Sequence, residues 1–146
     1  KDHPDCAFVS GGHRRIDEAG TVVEQPTPPR IEKDHYLALL RGNYVGMHAA
    51  VMYQRPFLAD VGGFNEALPA CEDYELYLRL ARSHPIRCHD TVVAEYRTYG
   101  ASMSANTGVM LPTVLAVLRS QRKYLTEDRR RITTRYDRRR RVPGDD

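Results

Sequence analysis

A pair of adjacent glycines, followed one short loop later by an acidic pair, constrains this chain more than any other feature of its sequence. Gly62 and Gly63 can adopt backbone angles closed to other residues, so the chain can turn sharply after residues 57–61. Glu72 and Asp73 then open a segment whose apolar residues recur at helical spacing. Acidic residues are favoured in a first helical turn by the exposed amide groups and the helix dipole. The pattern therefore predicts a turn, a loop and a helix that begins with carboxylates.

Hydrophobic periodicity and turn residues predict helices interleaved with strands along the rest of the chain. In chain order we expect a strand over 6–10, a hairpin over 14–23, a helix over 31–40, a strand over 45–53, a short helix from Pro56 to Gly62, the acidic-pair helix to about His84, strands over 86–89 and 91–96, and an amphipathic helix over 110–125. Such alternation is typical of an α/β domain. The sequence contains neither Gly-x-Gly-x-x-Gly nor Gly-x-x-x-x-Gly-Lys, so we expect it to be the second half of a larger unit.

Composition excludes several other classes. The chain has 146 residues, of which 41% are hydrophobic and 28% charged, as in one ordinary soluble domain. No apolar run approaches the roughly 18 residues that a membrane span requires. The start shows no signal peptide, and the chain looks truncated there. Cys6, Cys71 and Cys88 are odd in number and widely spaced, which favours reduced cytoplasmic thiols over a disulfide framework or a zinc site.

Charge is distributed unevenly along the chain. The net charge is +3, and residues 126–146 carry eight arginines against five acids, so the body is neutral and the tail is basic. Such a tail can contact anionic lipid or nucleic acid, or can simply be solvated. Because Tyr124 and Tyr136 are the nearby aromatic residues, the sequence offers little platform for stacked bases, and nucleic acid is the least favoured partner.

Six short segments within residues 3–104 form a pattern in their order and spacing. They are His3-Pro-Asp-Cys-Ala-Phe-Val-Ser-Gly, Ile16-Asp-Glu-Ala-Gly-Thr-Val, Gly42-Asn-Tyr, Val61-Gly-Gly-Phe-Asn-Glu, Glu72-Asp-Tyr-Glu-Leu-Tyr-Leu-Arg-Leu-Ala and Ala94-Glu-Tyr-Arg. The pattern resembles the acceptor-side half of a family 2 glycosyltransferase, and its most specific part is the glycine turn with the acidic-pair helix.

The resemblance implies the C-terminal part of a GT-A fold, an α/β fold with a mixed sheet, flanking helices and a C-terminal helix. It divides the chain into an acceptor-side half over 1–108, an amphipathic helix over 109–125 and a basic tail over 126–146. In the family, the donor half ends in an Asp-x-Asp motif that holds Mn or Mg against the diphosphate. That motif is not in these residues. The cation ligands are therefore expected mostly outside this chain, no metal ligand is assigned within it, and the chain alone is expected to be inactive.

The resemblance also implies roles for two acidic residues. Asp73 matches the general base of an inverting transfer, in which an acceptor hydroxyl displaces the leaving group of a nucleotide-diphosphate sugar in a single step. Glu72 is its neighbour in the motif. A helix N-terminus would lower the basicity of Asp73, whereas desolvation would raise it, and both possibilities remain open at this stage. Glu75 is expected to face solvent or to pair with Arg79 one turn later.

Four further residues are candidate substrate contacts by the same resemblance. Asn43 and His48 lie in the segment that faces the acceptor in relatives, although a turn asparagine and a surface histidine are the simpler interpretations. Arg97 could bind a phosphate or serve as a structural ion-pair partner. Tyr99 occupies the position of a family histidine, which puts a metal-ligand role in doubt, although its hydroxyl could bond a phosphate oxygen.

The implied partners are a nucleotide-diphosphate sugar donor and a sugar or lipid-linked acceptor. The implied setting is the synthesis of a bacterial cell-surface polysaccharide or glycolipid in the cytoplasm, with the basic tail as a peripheral contact to anionic membrane. A non-catalytic glycan-binding module, or a degenerate relative that lacks the donor site, is the alternative hypothesis.

Overall fold

The described residues, 3–98 and 107–125 of a computed structural model, form a four-stranded sheet with helices. The strands are β1 (Phe8–Ile16), β2 (Val22–Glu24), β3 (Val51–Tyr53) and β4 (Ile86–Arg97), and the helices are α1 (His35–Arg41), α2 (Arg55–Asp60), α3 (Glu72–Ser83) and α4 (Thr107–Gln121), with 3-10 turns at His48–Ala50 and Arg122–Tyr124. This arrangement confirms the mixed α/β class that the alternation of elements predicted.

Strand β1 is the centre of the sheet. Strand β4 runs parallel to it along its whole length, from Phe8 opposite Ile86 to Ile16 opposite Arg97. Strands β3 and β2 run antiparallel to β1 and pair with its first and last residues respectively. Because β4 occupies one edge throughout, β2 and β3 share the other edge, and the predicted hairpin over 14–23 is present as the β1–β2 pair.

Both long strands are continuous where the sequence analysis placed breaks. We expected β1 to end at Ser10 and β4 to be divided near Asp90, but each continues through the gap. A bulge in the β1–β4 ladder brings the strands so close that a Cβ on Gly11 would lie 2.5 Å from Val93, and one on Gly12 would lie 2.9 Å from the Asp90 carbonyl oxygen. These glycines therefore permit a close backbone approach inside a strand instead of ending it.

The predicted strand over 45–53 is wrong except for its last three residues. Gly46 has a left-handed φ of 70°, and the 3-10 turn at His48–Ala50 follows it. Only Val51–Tyr53 then pairs with β1. An apolar run of suitable length thus forms a turn first, because the backbone reverses at a glycine.

Helix ends differ from the predictions by a few residues for identifiable reasons. Helix α1 begins at His35 because the Asp34 carboxylate accepts a hydrogen bond from the Leu37 N–H at 2.8 Å, which caps the helix four residues after its expected start. Helix α4 begins at Thr107 and gives way to a 3-10 turn after Gln121. No helix in the two described ranges is long and apolar enough to cross a bilayer.

Helix α3 lies at the centre of the hydrophobic core. Four of its side chains are fully buried, namely Leu76, Tyr77, Leu78 and Leu80. They belong to a cluster that includes Phe8 of β1, Leu39 and Leu40 of α1 and Val117 and Leu118 of α4. The Tyr74 hydroxyl adds a hydrogen bond to the Leu39 carbonyl oxygen. Contact with elements on several sides leaves α3 little freedom, so its first turn is held at a defined place beside the sheet.

Candidate functional site

The acidic pair lies in the first turn of α3, as the sequence predicted. Glu72 is exposed, whereas Asp73 is half-buried. One Asp73 oxygen, Oδ1, accepts a hydrogen bond from the Tyr74 N–H at 2.7 Å. Cys71, which precedes the helix, has a left-handed φ of 59° and makes no side-chain capping bond. The helix therefore starts without a side-chain cap, and backbone N–H groups of its first turn bond the Asp73 carboxylate.

Burial decides the direction in which the pKa of Asp73 moves. Desolvation raises it above the ordinary value, and the neighbouring Glu72 charge adds to the rise. The Tyr74 N–H and His48 act in the opposite direction but do not cancel the rise. A carboxylate whose ionised form is disfavoured is a better proton acceptor than an exposed one, so the desolvation effect outweighs the helix terminus.

Four aromatic rings, His48, Tyr53, Phe64 and Tyr77, pack against one another, and we call them the aromatic cluster. The Nδ1 atom of His48 lies 3.3 Å from the Tyr77 hydroxyl and 3.4 Å from the Tyr53 hydroxyl. The His48 and Tyr77 rings are stacked at 16° with centroids 6.4 Å apart. Phe64 meets His48 edge to face at 5.5 Å and meets Tyr53 in the same way at 6.4 Å.

The electrostatics tie this cluster to Asp73. Burial raises the pKa of Tyr53 and of Tyr77, and the charge of Asp73 raises both further. Both hydroxyls consequently keep their protons over the ordinary pH range and serve as hydrogen-bond donors and acceptors only. Asp73 is the carboxylate that interacts with these two hydroxyls, and burial raises its pKa above the ordinary value.

A buried ion pair holds the glycine turn against α3. The Arg79 Nε atom donates to both Glu75 carboxylate oxygens, at 2.7 and 2.9 Å. The same guanidinium donates to the Gly63 carbonyl oxygen at 2.7 Å and to the Val61 carbonyl oxygen. These side chains are 18% and 12% exposed, so the expected Glu75–Arg79 pair is confirmed and the possibility that Glu75 faces solvent is not. Arg79 thereby determines where Phe64, the next residue after the turn, is placed.

The candidate substrate contacts are distributed over different parts of the molecule. His48 belongs to the aromatic cluster, so the structure brings it together with Asp73. Asn43 instead makes a turn, in which its Oδ1 accepts a 3.4 Å bond from the Gly46 N–H. Tyr99 lies outside the described residues.

Arg97 lies at the other end of the sheet. Its Nη1 donates to the carbonyl oxygens of Asp17 at 3.1 Å and Glu18 at 2.9 Å, within the β1–β2 turn. It is in register with Ile16, eight residues along β1 from Phe8, whose ring contacts Tyr53 and Tyr77. That separation corresponds to about 26 Å at the usual rise of a strand.

Sequence reasoning did not identify Tyr53, Phe64 or Arg79 as parts of this site. The position of Phe64 directly after the glycine turn could have suggested it, whereas no spacing rule connects Tyr53 or Arg79 with Asp73.

A cavity of about 460 Å³ shares Tyr53 with the aromatic cluster and is also lined by Phe8, Met52 and Arg87. Across residues 3–98 and 107–125 there is no group of three or more histidine, cysteine or acidic side chains that could hold a metal ion.

Comparison with known proteins gives a general indication of function. No protein-family model matches the chain. Two curated bacterial proteins, each named an uncharacterized glycosyltransferase, are similar to it: one from Rickettsia felis at 29% identity and one from Rickettsia conorii at 30%, both over 95 residues. The match covers 62% of this chain but 15% of each relative, so the chain spans a small part of the length of the relatives that it matches.

Proposed function

We propose that this chain is the acceptor-binding part of a glycosyltransferase, with Asp73 as its general base. The observation that carries the proposal is a half-buried carboxylate with a raised pKa, held at the start of a core helix and interacting electrostatically with His48, Tyr53 and Tyr77. The similarity to two proteins named glycosyltransferases supports the same class of reaction. Family 2 membership and the GT-A fold are parts of the proposal that rest on the sequence pattern alone.

In the proposed reaction, an acceptor hydroxyl lies within hydrogen-bond reach of Asp73. Its oxygen attacks the anomeric carbon of the donor as its proton passes to the carboxylate, and the bond from that carbon to the nucleoside diphosphate breaks on the opposite face. One displacement inverts the anomeric centre, and no covalent enzyme intermediate is needed. General base assistance of this kind is typically worth about 10² to 10⁴ in rate. Glu72 contributes through its charge, which raises the pKa of Asp73.

In this proposal, residues outside this chain bind the donor, its nucleotide and the divalent cation, Mn or Mg. The described residues offer no ligand cluster for that cation, so we assign no step of the reaction to it. Synthesis of a cell-surface polysaccharide or glycolipid at the cytoplasmic face of a bacterial membrane is the proposed setting. The basic tail that would contact such a membrane lies in residues 126–146, outside the described ranges.

The test is Asp73→Asn in the full-length protein, with Glu72→Gln as the matched control. We expect Asp73→Asn to lower the turnover number by about 10² to 10⁴ and to leave donor binding nearly unchanged, because only the proton acceptor is removed. Glu72→Gln should retain most of the turnover, since its carboxylate is exposed and acts through charge. Transfer from a radiolabelled nucleotide sugar and calorimetric titration of the donor measure the two effects. An Asp73→Asn protein that keeps most of its turnover would exclude Asp73 as the base.

A further inference from the structure

Phe64 is an exposed ring that packs against His48 and Tyr53, two residues that interact electrostatically with the proposed base. Phe64 is 39% exposed, and its ring meets His48 and Tyr53 edge to face. Single exposed apolar residues are ordinary on protein surfaces. This one differs because both rings that it contacts, His48 and Tyr53, interact electrostatically with Asp73.

The backbone that carries Phe64 is constrained on both sides of the turn. Gly62 and Gly63 have left-handed φ angles of 80° and 69°, and nothing lies within 4 Å of the space where a Cβ would be at either residue. Packing therefore does not require glycine here, but the backbone angles do. Arg79 then fixes the turn through two carbonyl oxygens. A ring that is rigidly presented to solvent is already organised for a ligand, which lowers the entropy lost on binding.

We infer that the acceptor group beside Asp73 is a sugar ring that stacks on Phe64, an inference that rests on the proposed function. A pyranose has an apolar face of C–H groups and a rim of hydroxyls. An aromatic ring buries the apolar C–H face. A carboxylate accepts hydrogen bonds from the hydroxyls, and an imidazole accepts or donates them. Phe64 supplies the ring, the exposed His48 that it contacts supplies the imidazole, and Asp73, which interacts electrostatically with His48, supplies the carboxylate.

The same electrostatics argue against a polyprenyl phosphate as the group that attacks. Glu72 and Asp73 carry two negative charges at the start of α3, and each repels an incoming phosphate. The guanidinium nearest to the turn, that of Arg79, is occupied by Glu75 and by two carbonyl oxygens. A neutral sugar hydroxyl meets neither obstacle, so the ring can belong to a free saccharide or to the sugar end of a lipid-linked chain.

The experiment measures binding to the full-length protein by saturation-transfer NMR, without donor. The probes are cellotriose, chitotriose, xylotriose and maltotriose, with farnesyl phosphate as the lipid-phosphate probe. We expect at least one trisaccharide to bind and Phe64→Leu to weaken that binding about tenfold, while Phe64→Tyr, which keeps the ring, retains it. The matched control is Tyr124→Leu, because Tyr124 is also exposed, but its ring is covered by the Arg82 guanidinium at 3.5 Å. Equal unfolding midpoints for the variants would show that each is folded.

The inference is overturned if no trisaccharide binds, if Phe64→Leu binds as the unchanged protein does, or if farnesyl phosphate competes for the bound trisaccharide. Failure of the proposed function gives a different result, since Asp73→Asn would then keep its turnover. Binding is measured without donor, so the two proposals can fail separately. If Asp73→Asn loses turnover while Phe64→Leu binds the trisaccharide unchanged, the proposed transferase function stands and the stacking of a sugar on Phe64 is excluded.

Discussion

Two arginine–glutamate contacts, one at the glycine turn and one on the sheet, show how burial changes what the same pair of residues does. Arg79 and Glu75 are 18% and 12% exposed, and the arginine also holds two backbone carbonyl groups of the turn. Arg14 and Glu95 join neighbouring strands, but they are 40% and 46% exposed. Exposed pairs contribute little because water competes for both charges, whereas removing one member of a buried pair leaves the other without compensation. The Arg79–Glu75 contact therefore holds the glycine turn of the candidate site in place, whereas the Arg14–Glu95 contact adds little to the stability of the sheet.

The largest expected effect comes from removing each arginine in turn. Arg79→Met should lower the free energy of unfolding by about 3 kcal/mol, because Glu75 loses its partner in a largely buried position. Arg14→Met, the matched change in the exposed pair, should cost less than about 1 kcal/mol. Urea denaturation of the two variants measures both values. Equal losses of unfolding free energy in the two variants would contradict the conclusion that burial makes the two contacts differ.

A smaller effect is expected from alanine at glycines with left-handed backbone angles. Gly63 in the site turn and Gly20 in the β1–β2 turn have φ angles of 69° and 89°, and both have open space around the missing Cβ. Each substitution should therefore cost about 1–2 kcal/mol of stability through backbone strain alone. Gly42→Ala is the control, because its φ of 169° is extended and its surroundings are equally open.

The glycine variants also separate stability from function. Only Gly63→Ala should reduce turnover, since only that turn places Phe64 in the aromatic cluster. The proposed role of the turn would be contradicted if Gly20→Ala and Gly63→Ala, destabilised to the same degree, lost turnover equally.

The smallest expected effect is a dependence of stability on pH at the candidate site. Burial raises the pKa of Asp73, so its ionisation destabilises the fold as pH rises from the unfolded value of about 3.9 through the folded value. Asp73→Asn should therefore be more stable than the unchanged protein at neutral pH, and the gain should vanish below about pH 3.9. Denaturation midpoints from pH 3 to 8, measured on the unchanged protein and on Asp73→Asn, check the sign.

Local sequence patterns predicted most helices of the fold but not the course of its long strands. The glycine turn, the short helix before it and the start of α3 follow from neighbouring residues, since turn chemistry and helix caps act over a few positions. The continuity of β1 through Gly11 and Gly12 does not follow in this way, because these glycines lie against Val93 and Asp90 in a strand about 80 residues away.

The features of the candidate site likewise fall into those that local sequence determines and those that depend on tertiary packing. The sequence by itself determined that Asp73 begins a helix next to Glu72 and that Glu75 can reach Arg79, because helical spacing sets both relations. Only the tertiary structure decided that His48 and Tyr53 interact with this carboxylate and pack against Phe64. It also decided that Arg79 donates hydrogen bonds to the glycine turn. Desolvation depends on which distant segments pack around a group, and that packing is a property of the whole core. The identity of the acidic residue is thus local, whereas its strength as a base is set by the fold.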